Sequence, residues 1–364
     1  MSGGRYFSER RRLLRGLAMA PALLLPGMGR AAVVDPAATF VLTPAGRSAS
    51  LASHVPADVA RHLIAEADTQ LARGMNVRAV VHTQGLLPHE GDRDASLLAQ
   101  EDWRQTLTQA LAYRVSRVDA YGEKAAAYIE AWLPAYRSSA NPVDEADLVR
   151  FLFGLDLVRD RLRRPVAALV QPFGADLAQA YLDPGRRVGD GTTLLNNWHS
   201  HRVKLATAGA YLSGRRALID DARAAFMAHV ASNVRDDGST YDFAQRDAMH
   251  YVVYTLEPLL MAASMARAHG DDWYGAPEIA GRLPSALEWL GPYARGEREH
   301  EEFVRSTVKF DARRAAAHVK GYSGLWQPDE AADLYWIAAH LDARFAPMAA
   351  RLQARPTTRA LFAR

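Results

Sequence analysis

Phe243-Ala-Gln-Arg-Asp-Ala-Met-His-Tyr-Val-Val-Tyr-Thr-Leu-Glu-Pro258 has the composition of a helix, with Asp242 placed to cap its start and Pro258 placed to kink or stop it. At 3.6 residues per turn, Arg246, His250 and Tyr254 fall one above another on a single face. Met249, Val252, Val253 and Leu256 populate the other faces. A cation, an imidazole and a phenol thus line up along about two turns. Singly, each of these residues also suits an interfacial helix that satisfies hydrogen bonds inside a core.

The rest of the chain carries the same helical period. Pro56 to Gly74 spaces its apolar residues helically and closes on a glycine, so it reads as one helix. Comparable patterns run from Leu97 to Ala112 and from Tyr121 to Trp132, where Pro134 stops the second. Another follows Asn141-Pro-Val-Asp144, with Asp144 as its cap, and ends at Pro165. Further helical stretches span Val166 to Leu182, Asn197 to Leu212, Arg216 to Asn233, Phe243 to His269, Ile279 to Leu290, Glu299 to Val308 and Asp329 to Leu352. Long alternating runs of the β type are absent, as are exact repeats and a dividing linker. The expected fold class is all-α, a single α/α toroid or incomplete α/α barrel of helical hairpins.

Composition narrows the chemistry. The 364 residues include no cysteine, which excludes thiol catalysis, thiolate zinc sites and iron–sulfur clusters. Ser8-Glu-Arg-Arg-Arg-Leu-Leu-Arg15, an apolar run from Gly16 to Met28 and the small residues Ala31 and Ala32 form the three regions of an export signal of twin-arginine type. The apolar run is shorter than the roughly 20 residues that span a bilayer. Residues 1–31 are therefore expected to be removed, leaving 32–364 as the domain exported to a periplasm. Taking six of the 44 basic and one of the 41 acidic side chains with that segment leaves 38 and 40. A balance so close to neutral gives no support for nucleic-acid binding, and any site for a polyanion must concentrate positive charge locally.

A second unusual stretch is Thr192-Thr-Leu-Leu-Asn-Asn-Trp-His-Ser-His-Arg-Val-Lys204. Adjacent asparagines are poor inside a helix and good at its start, so a helix is expected to begin at Asn196 or Asn197. Asn197 and His201 then share one face, while His199 and Arg202 share a neighbouring one. Amide, imidazole and guanidinium groups together suit a carboxylate. A zinc site is the competing explanation for two histidines, but His199 and His201 point in different directions on a helix and would need a ligand from elsewhere, such as His250. No metal or cofactor is called for. The polar loop Val80 to Asp94 adds His89 and Arg93 as residues placed for substrate contact.

Together these stretches resemble the alginate lyase family and its polyuronate-lyase relatives: Asn-Asn with histidine close behind, then Arg, Tyr and Tyr ahead of Leu256-Glu-Pro-Leu259. Leu87-Pro-His-Glu-Gly-Asp-Arg93 and Tyr121 to Trp132 extend the resemblance over most of the chain. The resemblance implies an α/α toroid and cleavage of an acidic polysaccharide. It also implies that Asn197 holds the substrate carboxylate, that Tyr254 is the catalytic tyrosine and that Arg246 approximately matches the family arginine. Asn196, Arg202, His250, Tyr251, His89 and Arg93 are the accompanying substrate-binding residues. One position departs from the pattern. The histidine that directly follows Asn-Asn in the family is Trp198 here, with His199 and His201 as replacements; His201 is preferred for its register with Asn197.

β-Elimination explains why these residue types are needed. The proton on C5 of a uronate is weakly acidic while the neighbouring carboxylate is ionised, so that charge must be neutralised as an enolate develops. A base then takes the proton and an acid protonates the departing O4. A tyrosine with an unperturbed pKa of about 10 needs a nearby cation to act as base, the part expected of Arg246. Where C5–H and O4 lie on one side of the ring, Tyr254 can serve as both; where they lie opposite, His201 or His199 is the base. An inverting glycoside hydrolase using a pair among Asp237, Asp242, Asp247 and Glu257, and a noncatalytic protein that binds acidic glycans, are the alternatives.

Overall fold

The computed structural model describes residues 39–279 and 281–363, which fall within one compact unit, Val34–Arg364. The proposed export segment, residues 1–31, lies outside the described residues. The helices in chain order begin with α1 (Ala45–Ser50), α2 (Ala57–Gln70), α3 (Arg93–Ser116), α4 (Asp119–Ala135) and α5 (Leu148–Val158). They continue with α6 (Arg164–Ala167), α7 (Val170–Leu182), α8 (Asn197–Ser213), α9 (Arg216–Asn233), α10 (Tyr241–Arg246) and α11 (Met249–Ala268). The last are α12 (Arg282–Ala294), α13 (Lys309–Ala316), α14 (Ala332–Leu341), α15 (Ala346–Arg351) and α16 (Pro356–Leu361). Among the described residues, extended pairing is confined to two isolated bridges, Val234 with Thr240 and Glu301 with Leu325.

The architecture is the expected α/α toroid. Helices α3, α5, α8, α11 and α14 pack in succession, and α16 returns to α2 and α3. On the outside α4 backs α3 and α5, while α7 and α9 back α8, and α12 leans on α11 and α9. Burial follows this division. Every residue of α5 except Arg150 is buried, as is every residue of α8 except Trp198 and His199. A helix apolar or buried all round belongs to the interior of a helical layer. In α8 the two exceptions stand at its N-terminal end, which marks the end that opens to solvent.

Close approach between α7 and α8 depends on two glycines facing each other. A Cβ on Gly209 would stand 2.6 Å from the Gly174 carbonyl oxygen and 2.7 Å from the Ala178 nitrogen, both of them main-chain atoms that cannot swing away. Gly154 of α5 is similarly placed against α3, where a Cβ would meet the Leu107 nitrogen at 3.0 Å.

Several helix boundaries differ from the sequence expectation. The stretch Phe243 to His269 is two helices, because Asp247 adopts a left-handed φ of 51° and Ala248 is extended. Thr240, and not Asp242, caps α10 by accepting from the Phe243 nitrogen at 3.1 Å. Pro258 neither stops nor divides α11, which runs on to Ala268. The helix expected over Glu299 to Val308 is a loop whose main chain pairs elsewhere: Phe303 N with Asp247 O, Glu302 N with Gly324 O and Thr307 N with Gln245 O. The helix forms instead at α13. Asp144 does not cap α5. Its carboxylate accepts from the nitrogens of Thr83 and Gln84, each at 2.7 Å, and so fastens the polar loop that was read as a ligand-contact segment.

Gly209→Ala is expected to lower stability by about 1–3 kcal/mol through overpacking of α7 against α8, read as a lower urea midpoint with an unchanged m-value.

Candidate active site

The N-terminal ends of α8 and α11 open on a cavity of about 570 Å³. Asn197 and Trp198 of α8 form one wall, and His250, Tyr251 and Tyr254 of α11 form another. Arg246 enters from the end of α10, Phe310, Arg313 and Arg314 from α13, and Tyr322 from the turn beyond it. Gln84, Gly85 and Val143 complete the lining. Three guanidiniums and three phenols thus face one space, and none of its lining residues is a carboxylate.

The walls are held in register by Asp242, a fully buried residue. Its Oδ1 accepts from Asn197 N at 3.0 Å and Asn197 Nδ2 at 2.5 Å; its Oδ2 accepts from Asn233 Nδ2 at 3.0 Å and Thr255 Oγ1 at 2.7 Å. One carboxylate therefore joins the start of α8 to α9, α10 and α11. Only the amide nitrogen of Asn197 can donate to it, which fixes the side chain's orientation and leaves a second N–H of the same group for a ligand. Asn196 caps α8 as expected, its Oδ1 accepting from the Trp198 nitrogen at 3.0 Å.

The break at Asp247 reorganises the other wall. Glu302 caps the restarted helix, accepting from Met249 N at 2.7 Å and His250 N at 3.3 Å. Asp247 in turn accepts from Arg305 N at 2.9 Å and Arg305 Nη2 at 2.9 Å. The loop bearing α13 is thereby tied to the start of α11. Arg246 is consequently not one turn below His250 on a common helix. It still reaches the cavity, where it pairs with buried Asp311 and lies 4.0 Å over the ring of Tyr251. Arg314 donates to the Tyr251 hydroxyl at 3.0 Å, and that hydroxyl also meets the Tyr322 hydroxyl at 3.1 Å.

Tyr254 sits between two imidazoles, with the His201 ring at 4.3 Å and the His250 ring nearly parallel at 6.0 Å. Among the described residues its hydroxyl has no hydrogen-bond partner. Burial, reinforced by Tyr251 and Asp147, holds the phenol above its ordinary range, and the opposing cation is Arg314. Arg246, the cation expected beside this phenol, is instead paired with Asp311. The resting group is a protonated phenol.

The remaining sequence-selected residues fall in other places. His201 lies one turn deeper than Asn197 and lines a separate chamber of about 190 Å³ behind Tyr254. His199 packs edge-on against His229 at 4.8 Å, and burial lowers its pKa to about 4. Arg202 is buried and donates to the Thr193 oxygen at 2.6 Å and to the Val188 oxygen, so it fastens the loop before α8. His89 is exposed and meets Asp94 at 2.7 Å, and Arg93 approaches the same carboxylate at 3.4 Å. That loop contributes Gln84 and Gly85 to the cavity. Among the described residues no three His, Cys, Asp or Glu side chains gather in a metal-holding group. Arg313, Arg314, Phe310 and Tyr322 are absent from the expected site because the helix was expected over Glu299 to Val308 and begins at Lys309; Phe310-Asp-Ala-Arg-Arg314 is the signal that could have revealed them.

A toroid whose open end carries a basic, aromatic cleft without carboxylates defines a protein for acidic glycans. The family model for alginate lyase matches residues 50–300, and the chain belongs to the alginate lyase family: it is a polysaccharide lyase acting on polyuronates. No curated protein matches it in sequence. In structure it is similar to an alginate lyase from Bacteroides ovatus, with a TM-score of 0.65 and 14% identity over 89% of this chain and 99% of the other. It is also similar to a histidine-to-alanine variant of alginate lyase A1-III complexed with a tetrasaccharide, with a TM-score of 0.60 and 16% identity over 92% and 97% of the two chains.

Two measurements check this site's construction. Asp242→Ala strands the Asn197, Asn233 and Thr255 donors and is expected to cost at least about 2–3 kcal/mol in urea unfolding. Burial pushes the Glu302 carboxyl up to about 8 from 4.5. The native state then holds a proton that the unfolded chain releases, so this group's contribution makes stability fall as pH rises from about 4.5 to about 8. Glu302→Gln should remove that part of the slope in unfolding midpoints measured across the interval.

Proposed function

We propose that the protein is an exported lyase that cleaves a uronate polymer by β-elimination in the cavity between α8, α11 and α13. The observation that carries this reading is the lining itself: Arg246, Arg313 and Arg314 with Asn197 surround a space that has no acidic side chain. A polyanion gains from that arrangement, and a developing enolate is stabilised by donors already in position. Arg313 is the most exposed of the three arginines and stands over Phe310 at 5.1 Å. Its role is to meet a substrate carboxylate at the rim, while Arg314 and the free N–H of Asn197 act deeper.

Tyr254 is the proton donor to O4, since its phenol is protonated at rest. The base is His250. Its Nδ1 faces Glu330 Oε2 at 3.4 Å, which directs the other ring nitrogen, with its lone pair, away from that carboxylate. His199 and His201 are not among the lining residues, so neither is assigned this step. His250 and Tyr254 project from one face of one helix, and both approach a bound sugar from the same side. The preferred substrates are therefore uronates in which C5–H and O4 share a side of the ring, such as mannuronate and glucuronate. Trp198, in the position where the resemblance expects histidine, offers an apolar face to a sugar ring.

A glycoside hydrolase fits less well. Asp242 is enclosed by four donors, Asp247 is bound by Arg305, Asp237 holds a turn through Ser239 at 2.9 Å, and Glu257 lines the chamber behind Tyr254. None of them lines the cleft. Export is supported by the amino-terminal sequence, and among the described residues no helix is long and apolar enough to cross a membrane.

Absorbance from unsaturated product should rise on polymannuronate or polyglucuronate and much less on polyguluronate. Tyr254→Phe and His250→Ala are each expected to lower kcat by about 10²–10⁴-fold. Arg313→Ala should raise KM, more at low than at high ionic strength. Release of reducing ends from a neutral glycan without that absorbance would overturn the reading.

A further inference from the structure

The chamber behind Tyr254 contains a set of groups that the elimination as assigned above does not use. Pro258 is inside α11 and has no N–H to give to the Tyr254 carbonyl one turn back, so that carbonyl is released from the helical ladder. His201 faces the Tyr254 main chain from α8. Its Nε2 is buried and has no hydrogen-bond partner at standard geometry. On the other side of the ring, Lys204 Nζ donates to His201 Nδ1 at 3.0 Å and to the Ala146 oxygen at 2.6 Å.

An ammonium has donors only. With Lys204 as the ammonium, His201 Nδ1 is the accepting nitrogen, and the imidazole proton falls on Nε2, the buried ring nitrogen that has no other partner. We propose that Lys204 is a positioning residue for Tyr254: it fixes His201 as the Nε2–H tautomer, and that N–H takes the place of the helical donor missing at Pro258. This inference rests on Tyr254 being the proton donor of the lyase reaction. The device replaces one intrahelical bond by a bond between α8 and α11, so the phenol's height in the cavity is set from the neighbouring helix.

Charge around the ring is arranged to keep it neutral. Lys204 lies on α8 itself; Asp147 and Arg150 come from the start of α5, Glu257 from α11 and Arg355 from the segment before α16. Asp147 is held by Arg104 at 2.6 Å and Arg150 at 3.0 Å, and Arg355 pairs with Asp333. Two of the chamber's cations, Arg150 and Arg355, are thus paired with carboxylates, and Glu257 adds a further acidic side chain to its lining, so the chamber is not arranged as an anion site. Burial, followed by Lys204, holds the His201 pKa well below its ordinary range.

The test combines a spectroscopic readout with a double-mutant cycle. In histidine-labelled wild-type protein, nitrogen-15 NMR should show His201 with an unprotonated Nδ1 and a protonated Nε2, unchanged from about pH 5 to about pH 7.5. Lys204→Met should lower kcat by about tenfold or more with little change in KM, because Lys204 does not line the cleft. Lys204→Arg should recover most of the loss. Pro258→Ala restores an N–H to the Tyr254 carbonyl, so in that background Lys204→Met should cost less than about threefold. An equal loss in both backgrounds would overturn the proposal. So would a wild-type His201 that carries its proton on Nδ1 or titrates near its ordinary pKa, a result obtainable even if Lys204→Met does not fold. Absence of turnover on every polyuronate would contradict the lyase reading instead, while the tautomer and a parallel cycle of unfolding midpoints would still decide the role of Lys204.

Discussion

A single buried carboxylate organises the open end of this toroid. Asp242 accepts from Asn197, Asn233 and Thr255, residues of three different helices, while standing in the first turn of a fourth. Taking a carboxylate out of water is costly, and it is tolerated only where donors replace the lost hydration. Here the cost of burial is offset by four donors, and geometry is gained in return. The start of α8, with the Asn197 amide, is fixed relative to the phenol on α11, one residue before Thr255. An apolar side chain at this position could pack, but it could not orient an amide.

Around that anchor, positive charge is placed inside the cleft and its compensation outside. Asp311 lies behind Arg246, within 3.7 Å of Arg314, and does not line the cavity. Apart from Val143, the side chains that line the cavity are therefore donors, aromatic rings and one imidazole. Such a lining favours a polyanion over a neutral glycan before any chemistry occurs. The same enclosure keeps Tyr254 protonated, which suits the delivery of a proton to a departing oxygen and not its removal from carbon. In the proposed mechanism the opposing demands of acid and base fall on two groups, a phenol and an imidazole, one turn apart on one helix.

How much of this was legible in the sequence depended on whether the signal was local. The all-α class followed from period and composition, and the start of α8 followed from Asn196, whose side chain caps the helix through its own neighbour. Tyr254 and Asn197 could be named because their surroundings lie in short motifs. The break at Asp247 could not be read, since nothing in Gln245-Arg-Asp-Ala-Met249 opposes a helix; the loop from His300 to Thr307, more than 50 residues later, supplies the bonds that end one helix and begin the next. Arg313 and Arg314 were hidden for the same reason. His201 illustrates a subtler limit: helical spacing placed it correctly on the face of Asn197 but said nothing of depth, and one turn of 5.4 Å is enough to move a side chain from the cleft to the chamber behind it.

The central claim is that this basic, carboxylate-free cleft breaks a glycosidic bond by elimination, without adding water across it. Digestion of a uronate polymer in oxygen-18 water, with mass spectrometry of the fragments, measures that directly. The account predicts new nonreducing ends that are unsaturated and fragments that gain no heavy oxygen in the cleavage step. Saturated fragments, with one heavy oxygen gained at the new reducing end for each bond cleaved, would contradict it.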